Sequence, residues 1–173
     1  MEQNYFDHFD LPVQFQLDLE SVRKKYLVIS RQNHPDFAAG EDEAYEQALM
    51  ATSFNNQAYN VLSNNYERIK YVLELLGSPI STDDKLPPTF LMEMMDWNER
   101  IMEAGMTDDS TTLSTLSVEF DALEKSFDAE LNEKLAAFDS SKNQELLEEI
   151  KKSYLERKYL LRLRDSIDKF ARL

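Results

Sequence analysis

The spacing of apolar residues predicts helices along most of the chain. Between residues 18 and 33 the apolar positions recur at intervals of three and four, which is the period of one helix face. They are Leu19, Val22, Tyr26 and Ile29. Asp18 directly precedes them and is a suitable N-cap, since its carboxylate can accept a hydrogen bond from the first turn. This segment is predicted to be a helix.

The same pattern predicts three more helices in the first half of the chain. Residues 4–11 carry an aromatic face that fits a short helix and ends before Pro12. A long helix is predicted from Glu43 onward, interrupted at Asn64 and Asn65, because asparagine competes for backbone hydrogen bonds. A last short helix, residues 66–76, is predicted to end at Gly77.

A change of composition at residues 77–88, "GSPISTDDKLPP", predicts a linker. Beyond it we expect three helices: one that ends at Gly105, one with apolar residues every three or four positions up to Phe138, and one that begins near Ser140 or Ser141. The last helix carries apolar residues on two opposite sides, which suggests a bend or a second packing surface. Short connections favour an antiparallel bundle.

Composition agrees with an all-α fold. The chain has 173 residues but only three glycines and five prolines, too few turn residues for an all-β protein of this length. We therefore predict an all-α protein with a first helical domain at 1–77, a linker at 78–88 and a C-terminal three-helix domain at 89–173. An antiparallel helical hairpin with short flanking helices would form the first domain.

Charge and residue usage exclude several functions. A net charge of -14 argues against nucleic-acid binding, which depends on Lys and Arg. With no cysteine and two histidines, thiol chemistry, disulfides and an imidazole-rich metal site are not expected, and no cofactor is implied. No apolar run approaches the roughly 18 residues of a membrane span. We expect a cytoplasmic protein that has no presequence and does not bind membranes.

The sequence offers no convincing catalytic centre. Glycine-rich phosphate loops and hydrolase or metalloprotease motifs are absent. His34 and Asp36 could form an acid-base pair, but Pro35 separates them and no orienting partner is near in the sequence. We therefore expect no enzyme activity.

A different role is suggested for the loop that contains His34, Pro35 and Asp36. Proline disfavours helical geometry at the preceding residue, so the second helix should end there and the tripeptide should form a corner. The outward side of that helix carries Lys24 and Arg31 together with Leu27 and Val28, and Arg23 and Lys25 flank it. Taken alone, the tripeptide could be a helix terminator and the cations a solvated face.

The helix after the linker has two apolar strips. The first, which we assign to the core, consists of Phe90, Met94, Trp97 and Ile101. The second lies roughly 100° away and consists of Leu91, Met95 and Met102, with Asn98 and Glu99 beside it. Either the helix is apolar over a wide arc because it is wedged between two others, or the second strip binds a partner, a use to which methionine is well suited.

Taken together, these segments resemble a known family. The short aromatic helix, the basic helix, "HPD" and the long antiparallel helix resemble the J-domain of DnaJ-type co-chaperones. "YFDHFDLP", "NNQAYNVL", "RIKYVLELLG" and "TFLMEMMDWNERI", in this order, are similar to the HscB (Hsc20) family, the J-proteins of iron–sulfur cluster biogenesis. The resemblance covers essentially the whole chain.

The resemblance implies a co-chaperone that stimulates ATP hydrolysis by a DnaK-type (HscA-like) heat-shock chaperone and delivers to it the iron–sulfur cluster scaffold protein. The implied chaperone-binding residues are His34, Pro35, Asp36, Lys24 and Arg31, with Arg23 and Lys25 as flanking candidates. The implied scaffold-binding residues are Leu91, Met92, Met95, Asp96, Glu99 and Tyr159. A J-domain adaptor for a different client is the alternative.

The chain departs from the family pattern at five places. Phe37 follows Asp36 where family members usually carry lysine, so one cation of the docking surface is missing. The turn before the fourth helix reads "SNNYE" where a proline turn is common. The cysteine-rich zinc module of some relatives is absent. Met95 and Tyr159 replace more usual residues in the scaffold-binding set.

Overall fold

The computed structural model describes residues 3–38 and 42–170, and every regular element within these ranges is helical. This confirms the all-α prediction. The chain divides into two compact units, Met1–Pro79 and Ile80–Leu173. The first contains α1 (Tyr5–His8), α2 (Leu19–Gln32), a 3₁₀ turn (Pro35–Ala38), α3 (Asp42–Ser63) and α4 (Asn65–Leu75). The second contains α5 (Pro88–Met106), α6 (Ser110–Ser141) and α7 (Glu145–Phe170).

Side-chain caps define the helix starts in the first unit. Asp18 accepts a hydrogen bond from the backbone N–H of Glu20 at 3.0 Å, as predicted for the start of α2. Asn64 separates α3 from α4 and accepts bonds from the N–H groups of Tyr66 and Glu67. These caps satisfy donors that the first helical turn leaves unpaired.

Helices α2 and α3 form an antiparallel hairpin whose contacts centre on Asn55. The Asn55 side chain is fully buried and donates to the Tyr26 carbonyl at 3.2 Å and the Ser30 hydroxyl at 2.9 Å. Its Oδ1 atom lies 2.9 Å from Nε2 of His8 in α1. Because the Tyr26 carbonyl can only accept, the Asn55 atom that faces it must be the amide nitrogen. Oδ1 of Asn55 therefore faces His8 and accepts from its ring N–H. One side chain thus links three helices around the aromatic core.

The second unit is a three-helix bundle. α5 runs antiparallel to α6, since Phe90 packs on Phe127 and Trp97 on Phe120. The α6–α7 pair is also antiparallel and is joined by Arg157, which binds Glu124 at 2.7 Å and Asp128 at 2.7 Å. The core residues are Phe90, Met94, Ile101, Ala104, Leu113, Leu116, Phe120, Leu160, Leu163 and Ile167.

The predicted start of the last helix near Ser140 or Ser141 is wrong. The Ser140 and Ser141 hydroxyls donate to the carbonyls four residues earlier, so both stay in α6. Lys142 then adopts left-handed geometry and ends the helix. The Asn143 side chain accepts from the Glu145 N–H at 3.1 Å, which places the start of α7 there.

The two apolar sides of α7 belong to two packing environments. Its first half buries Leu147, Ile150 and Tyr154, whereas its second half buries Leu163 and Ile167 in the core shared with α5 and α6. This is the second packing surface that the pattern suggested.

The segment before α5 belongs to the second unit, although most of it was predicted to be linker. Lys151 of α7 lies 3.2 Å from the Asp84 carboxylate, and Asp84 accepts from the Ser81 N–H at 2.7 Å. That backbone hydrogen bond, aided by Lys151, lowers the pKa of Asp84. These contacts fix part of residues 80–87 against the bundle.

Candidate functional site

The His34–Pro35–Asp36 corner has a hydrogen-bonded backbone, with His34 and Asp36 exposed and Pro35 half-buried. The Asp36 N–H donates to Nδ1 of His34 at 3.2 Å, and the Phe37 N–H donates to the His34 carbonyl at 3.0 Å. An accepting Nδ1 places the proton of a neutral imidazole on Nε2. The His34 and Asp36 side chains remain 53% and 86% exposed.

The corner is anchored to the helical hairpin rather than enclosed in a cavity. The Thr52 hydroxyl of α3 donates to the Asn33 carbonyl at 3.0 Å and holds the end of α2 in place. The 3₁₀ turn that starts at Pro35 packs against α3. A fixed, convex corner with an exposed carboxylate suits docking to another protein better than it suits catalysis, which needs an enclosed, water-poor site.

The outer face of α2 presents cations to solvent. Arg23, Lys24 and Arg31 are exposed, and among the residues that the structure describes none of the three forms an ion pair. Leu27 and Val28 lie on the same face and are 43% and 53% exposed. The face therefore combines unneutralised positive charge with apolar surface, next to the corner that carries Asp36.

Lys25, one of the predicted flanking cations, is engaged within the protein. Its Nζ atom donates to the carbonyls of Phe9 at 2.6 Å and Asp10 at 2.9 Å, and lies 3.9 Å from the Asp10 carboxylate. Asp10 has a positive φ of 47°, so the chain turns sharply at this point. The structure assigns Lys25 to holding the end of α1 against α2.

Phe37 is unusually exposed for an aromatic residue. Its side chain is 82% exposed, and its ring meets the His34 ring edge-on at a centroid distance of 6.0 Å. The position next to Asp36 therefore presents an aromatic ring instead of a lysine ammonium group.

A second exposed surface lies on α5. Met92 and Met95 are 68% and 67% exposed, Asp96 and Glu99 are exposed, and Leu91 is half-buried. The opposite side of the helix, with Met94 and Ile101 fully buried, faces the core. The second apolar strip is thus on the surface of the bundle rather than wedged inside it.

Tyr159 on α7 differs from the other predicted scaffold-binding residues. It is half-buried, packs edge-on against Phe90 at a centroid distance of 5.9 Å, and carries the Arg162 guanidinium 5.3 Å above its ring. The contact with Phe90 places Tyr159 beside the first turn of α5, with part of its ring at the surface.

Met106 extends the α5 surface, although the sequence pattern did not predict it. The helix was expected to end at Gly105, since glycine is a common helix terminator. Instead Gly105 lies under the Phe170 ring, where a Cβ would be only 2.5 Å from ring atoms, and the helix continues by one residue. Met106 is 79% exposed. This glycine serves close packing, a requirement that only the folded structure reveals.

Residues 3–38 and 42–170 contain neither a candidate metal site nor a candidate membrane span. No group of three or more His, Asp or Glu side chains there is placed to hold a metal ion. No helix in these ranges is long and apolar enough to span a membrane.

Comparisons with known proteins point to one family. A profile described as "HSCB C-terminal oligomerisation domain" matches residues 86–168. "Co-chaperone protein HscB homolog" of Paraburkholderia xenovorans is 34% identical over 122 residues, which cover 69% of this chain and 70% of the relative. The protein of the same name from Paraburkholderia phymatum is 30% identical over 154 residues, covering 87% and 86%.

Solved structures show the same architecture. Chaperone HscB from Vibrio cholerae superimposes with a TM-score of 0.73 at 26% identity, covering 96% of both chains. Human co-chaperone protein HscB gives a TM-score of 0.78 at 24% identity and covers 97% of this chain and 82% of its own, a likeness of fold.

Proposed function

This chain belongs to the HscB family of co-chaperones, which are not enzymes, and we propose that it stimulates ATP hydrolysis by a DnaK-type chaperone and delivers an iron–sulfur cluster scaffold protein to it. The observation that supports chaperone stimulation is the His34–Pro35–Asp36 corner, which lies beside exposed cations that form no ion pair with any described residue. In this proposal residues 1–77 contact the chaperone, residues 78–88 connect, and residues 89–173 bind the scaffold.

Electrostatics supports docking through α2. The chain has a net charge of -14, so its exposed cations form a small positive area on an acidic protein. Such an area steers the approach of a negatively charged partner surface and fixes its orientation. Lys24 and Arg31 would make these contacts, with Arg23 at the margin. Binding should weaken as salt is added, because contacts between exposed charges are screened over about 8 Å at physiological ionic strength.

Asp36 would then make the most demanding contact. Its carboxylate is 86% exposed in the free protein and becomes desolvated when the corner docks. A desolvated carboxylate needs a charge-assisted hydrogen bond from a cationic group of the chaperone. Removal of Asp36 would leave that cation unpaired and cost about 2–5 kcal/mol of docking energy.

The test is single-turnover ATP hydrolysis by the chaperone with wild-type protein and with Asp36→Ala. The variant should lose stimulation by more than tenfold while its far-UV circular dichroism stays unchanged, since the Asp36 side chain is 86% exposed. Asp165→Ala, which removes an exposed carboxylate from α7, is the matched control and should stimulate normally. Full stimulation by folded Asp36→Ala would refute the proposal.

The α5 surface supports the second half of the proposal. Met92, Met95 and Leu91 offer adaptable apolar area, and Asp96 and Glu99 border it with negative charge. Methionine side chains conform to irregular partner surfaces, and the acidic border favours a partner with complementary cations. Tyr159 would contribute the exposed part of its ring.

Titration with the scaffold distinguishes this function from that of a J-domain adaptor for another client. Leu91→Ala and Met95→Ala should each weaken scaffold binding about tenfold. Met50→Ala removes a methionine of similar exposure from α3 and should bind like wild type. If the wild-type chain stimulates the chaperone but does not bind the scaffold, the alternative function is favoured.

A further inference from the structure

Exposed methionines are concentrated on one face of α5. The chain has seven methionines, and four of them are on this helix surface with exposed fractions of 68%, 67%, 41% and 79%. They are Met92, Met95, Met102 and Met106, and we call this set the α5 methionine face. At about 100° per residue they fall within an arc of roughly 80°. The remaining methionine of the helix, Met94, is fully buried.

Among the described residues, the composition of the chain makes the exposed thioethers, these four together with that of Met50, its most oxidisable groups. There is no cysteine, so no thiol competes for a peroxide. Hydrogen peroxide transfers one oxygen atom to the methionine sulfur, which becomes a sulfoxide, and leaves as water. Susceptibility follows exposure, and the product is polar where the thioether was apolar.

We propose that the α5 methionine face is a reversible oxidation site, at which conversion of its thioethers to sulfoxides by peroxide blocks binding of the scaffold. The inference rests on the proposed function of the same surface. Each sulfoxide oxygen keeps its hydration in the free protein and must lose it on docking, at a cost that an apolar contact does not repay. The desolvation costs of several sulfoxides on one face would therefore add up and weaken scaffold binding.

The block is chemically reversible. A methionine sulfoxide reductase restores the thioether. Two thiols of the reductase or its reductant form a disulfide, and the sulfoxide oxygen leaves as water. The fold should survive oxidation, because the face lies on the solvent side of α5. Met94, the methionine that packs in the bundle core, is shielded from the oxidant.

The first measurement is peptide mass spectrometry after limited hydrogen peroxide. Met92, Met95 and Met106 should become sulfoxides at least tenfold faster than Met94, with Met102 between them and circular dichroism unchanged. Oxidation of Met94 as early as the others, or loss of helicity with it, would overturn the inference.

The second measurement is scaffold affinity before and after the same treatment, each protein compared with its own untreated sample. The scaffold affinity of the wild-type protein should fall at least tenfold on oxidation. Methionine sulfoxide reductase with a dithiol should restore that affinity. The variant with leucine at all four positions of the α5 methionine face should show no change on treatment. Met50→Leu, which removes an exposed methionine elsewhere, should respond as wild type does.

The outcomes separate the two proposals. An untreated wild type that does not bind the scaffold refutes the proposed function, and the block of binding with it. A wild type that binds equally well before and after oxidation of its α5 methionine face refutes this inference alone. An equal loss in the four-leucine variant would also refute it, because the damage would then lie elsewhere.

Discussion

Two adjacent lysines of α2 are predicted to have different roles, and substitution of each by methionine separates them. Lys25 donates to the Phe9 and Asp10 carbonyls, whereas Lys24 forms no ion pair with any described residue. Methionine keeps the aliphatic stem and removes only the charge and the donors. Lys25→Met should therefore destabilise the first unit, and Lys24→Met should weaken docking to the chaperone.

The expected loss of stability in Lys25→Met follows from the two hydrogen bonds of Lys25, at 2.6 and 2.9 Å. Hydrogen bonds to charged groups contribute about 1.5–3 kcal/mol each when buried. The Lys25 side chain is 35% exposed, so hydrogen bonds to water offset part of this contribution. We therefore expect Lys25→Met to lower the stability of the first unit by about 2 kcal/mol. An exposed substitution such as Lys24→Met should cost no more than about 0.5 kcal/mol.

Hydrogen exchange by mass spectrometry measures the first unit by itself. A loss of about 2 kcal/mol should accelerate exchange of its most protected amides about thirtyfold in Lys25→Met. Lys24→Met should leave those rates within about twofold. In the chaperone assay the order reverses: Lys24→Met should lose about fivefold in affinity, while Lys25→Met stays close to wild type at a temperature where it is folded.

The opposite pattern would refute this assignment. If Lys25→Met exchanges like wild type but fails to stimulate the chaperone, then its ammonium group serves docking. The contacts with Phe9 and Asp10 would in that case contribute little to stability.

Two further predictions concern the second unit, whose unfolding in urea is reported by Trp97, the single tryptophan of the chain. Arg157→Met leaves the Glu124 carboxylate, whose side chain is 13% exposed, with one fewer partner and should cost about 3 kcal/mol. Arg162→Met at an exposed site of the same helix should cost less than about 1 kcal/mol, and equal losses would contradict this assignment. Burial raises the pKa of Glu156, so its carboxylate form is destabilising at neutral pH. Glu156→Gln should therefore raise the stability of the second unit at pH 7. This gain should disappear as the pH falls through the raised pKa of Glu156, because the wild-type side chain is then protonated. A gain in stability that is independent of pH would count against burial of the charge as the cause.

Local signals in the sequence predicted much of the fold. Asp18 could be identified as a cap because a short polar side chain at a helix start has a defined bonding role. The break between α3 and α4 was predicted at Asn64 and Asn65, and the structure adds that Asn64 caps α4. The apolar spacing predicted the core strip with Met94 and Ile101, and the buried side chains bear it out. Such features depend on neighbours within one helical turn, which a sequence pattern contains.

Features that depend on distant residues could not be predicted. Gly105 leaves room for the Phe170 ring, which lies 65 positions later in the chain. Lys25 is engaged because the fold brings the Phe9 carbonyl to it. Phe37, which the sequence could only mark as a departure from the family pattern, is 82% exposed in the folded chain.

We propose that one chain links ATP hydrolysis by a chaperone to a scaffold protein through two surfaces. Single-turnover ATP hydrolysis by the DnaK-type chaperone, measured with this protein alone, with the scaffold alone and with both, tests it most directly. We predict acceleration by this protein alone and a further, more than additive, acceleration when the scaffold is present. No acceleration by the folded wild-type protein, or an effect of the two together no larger than the sum of their separate effects, would contradict the account.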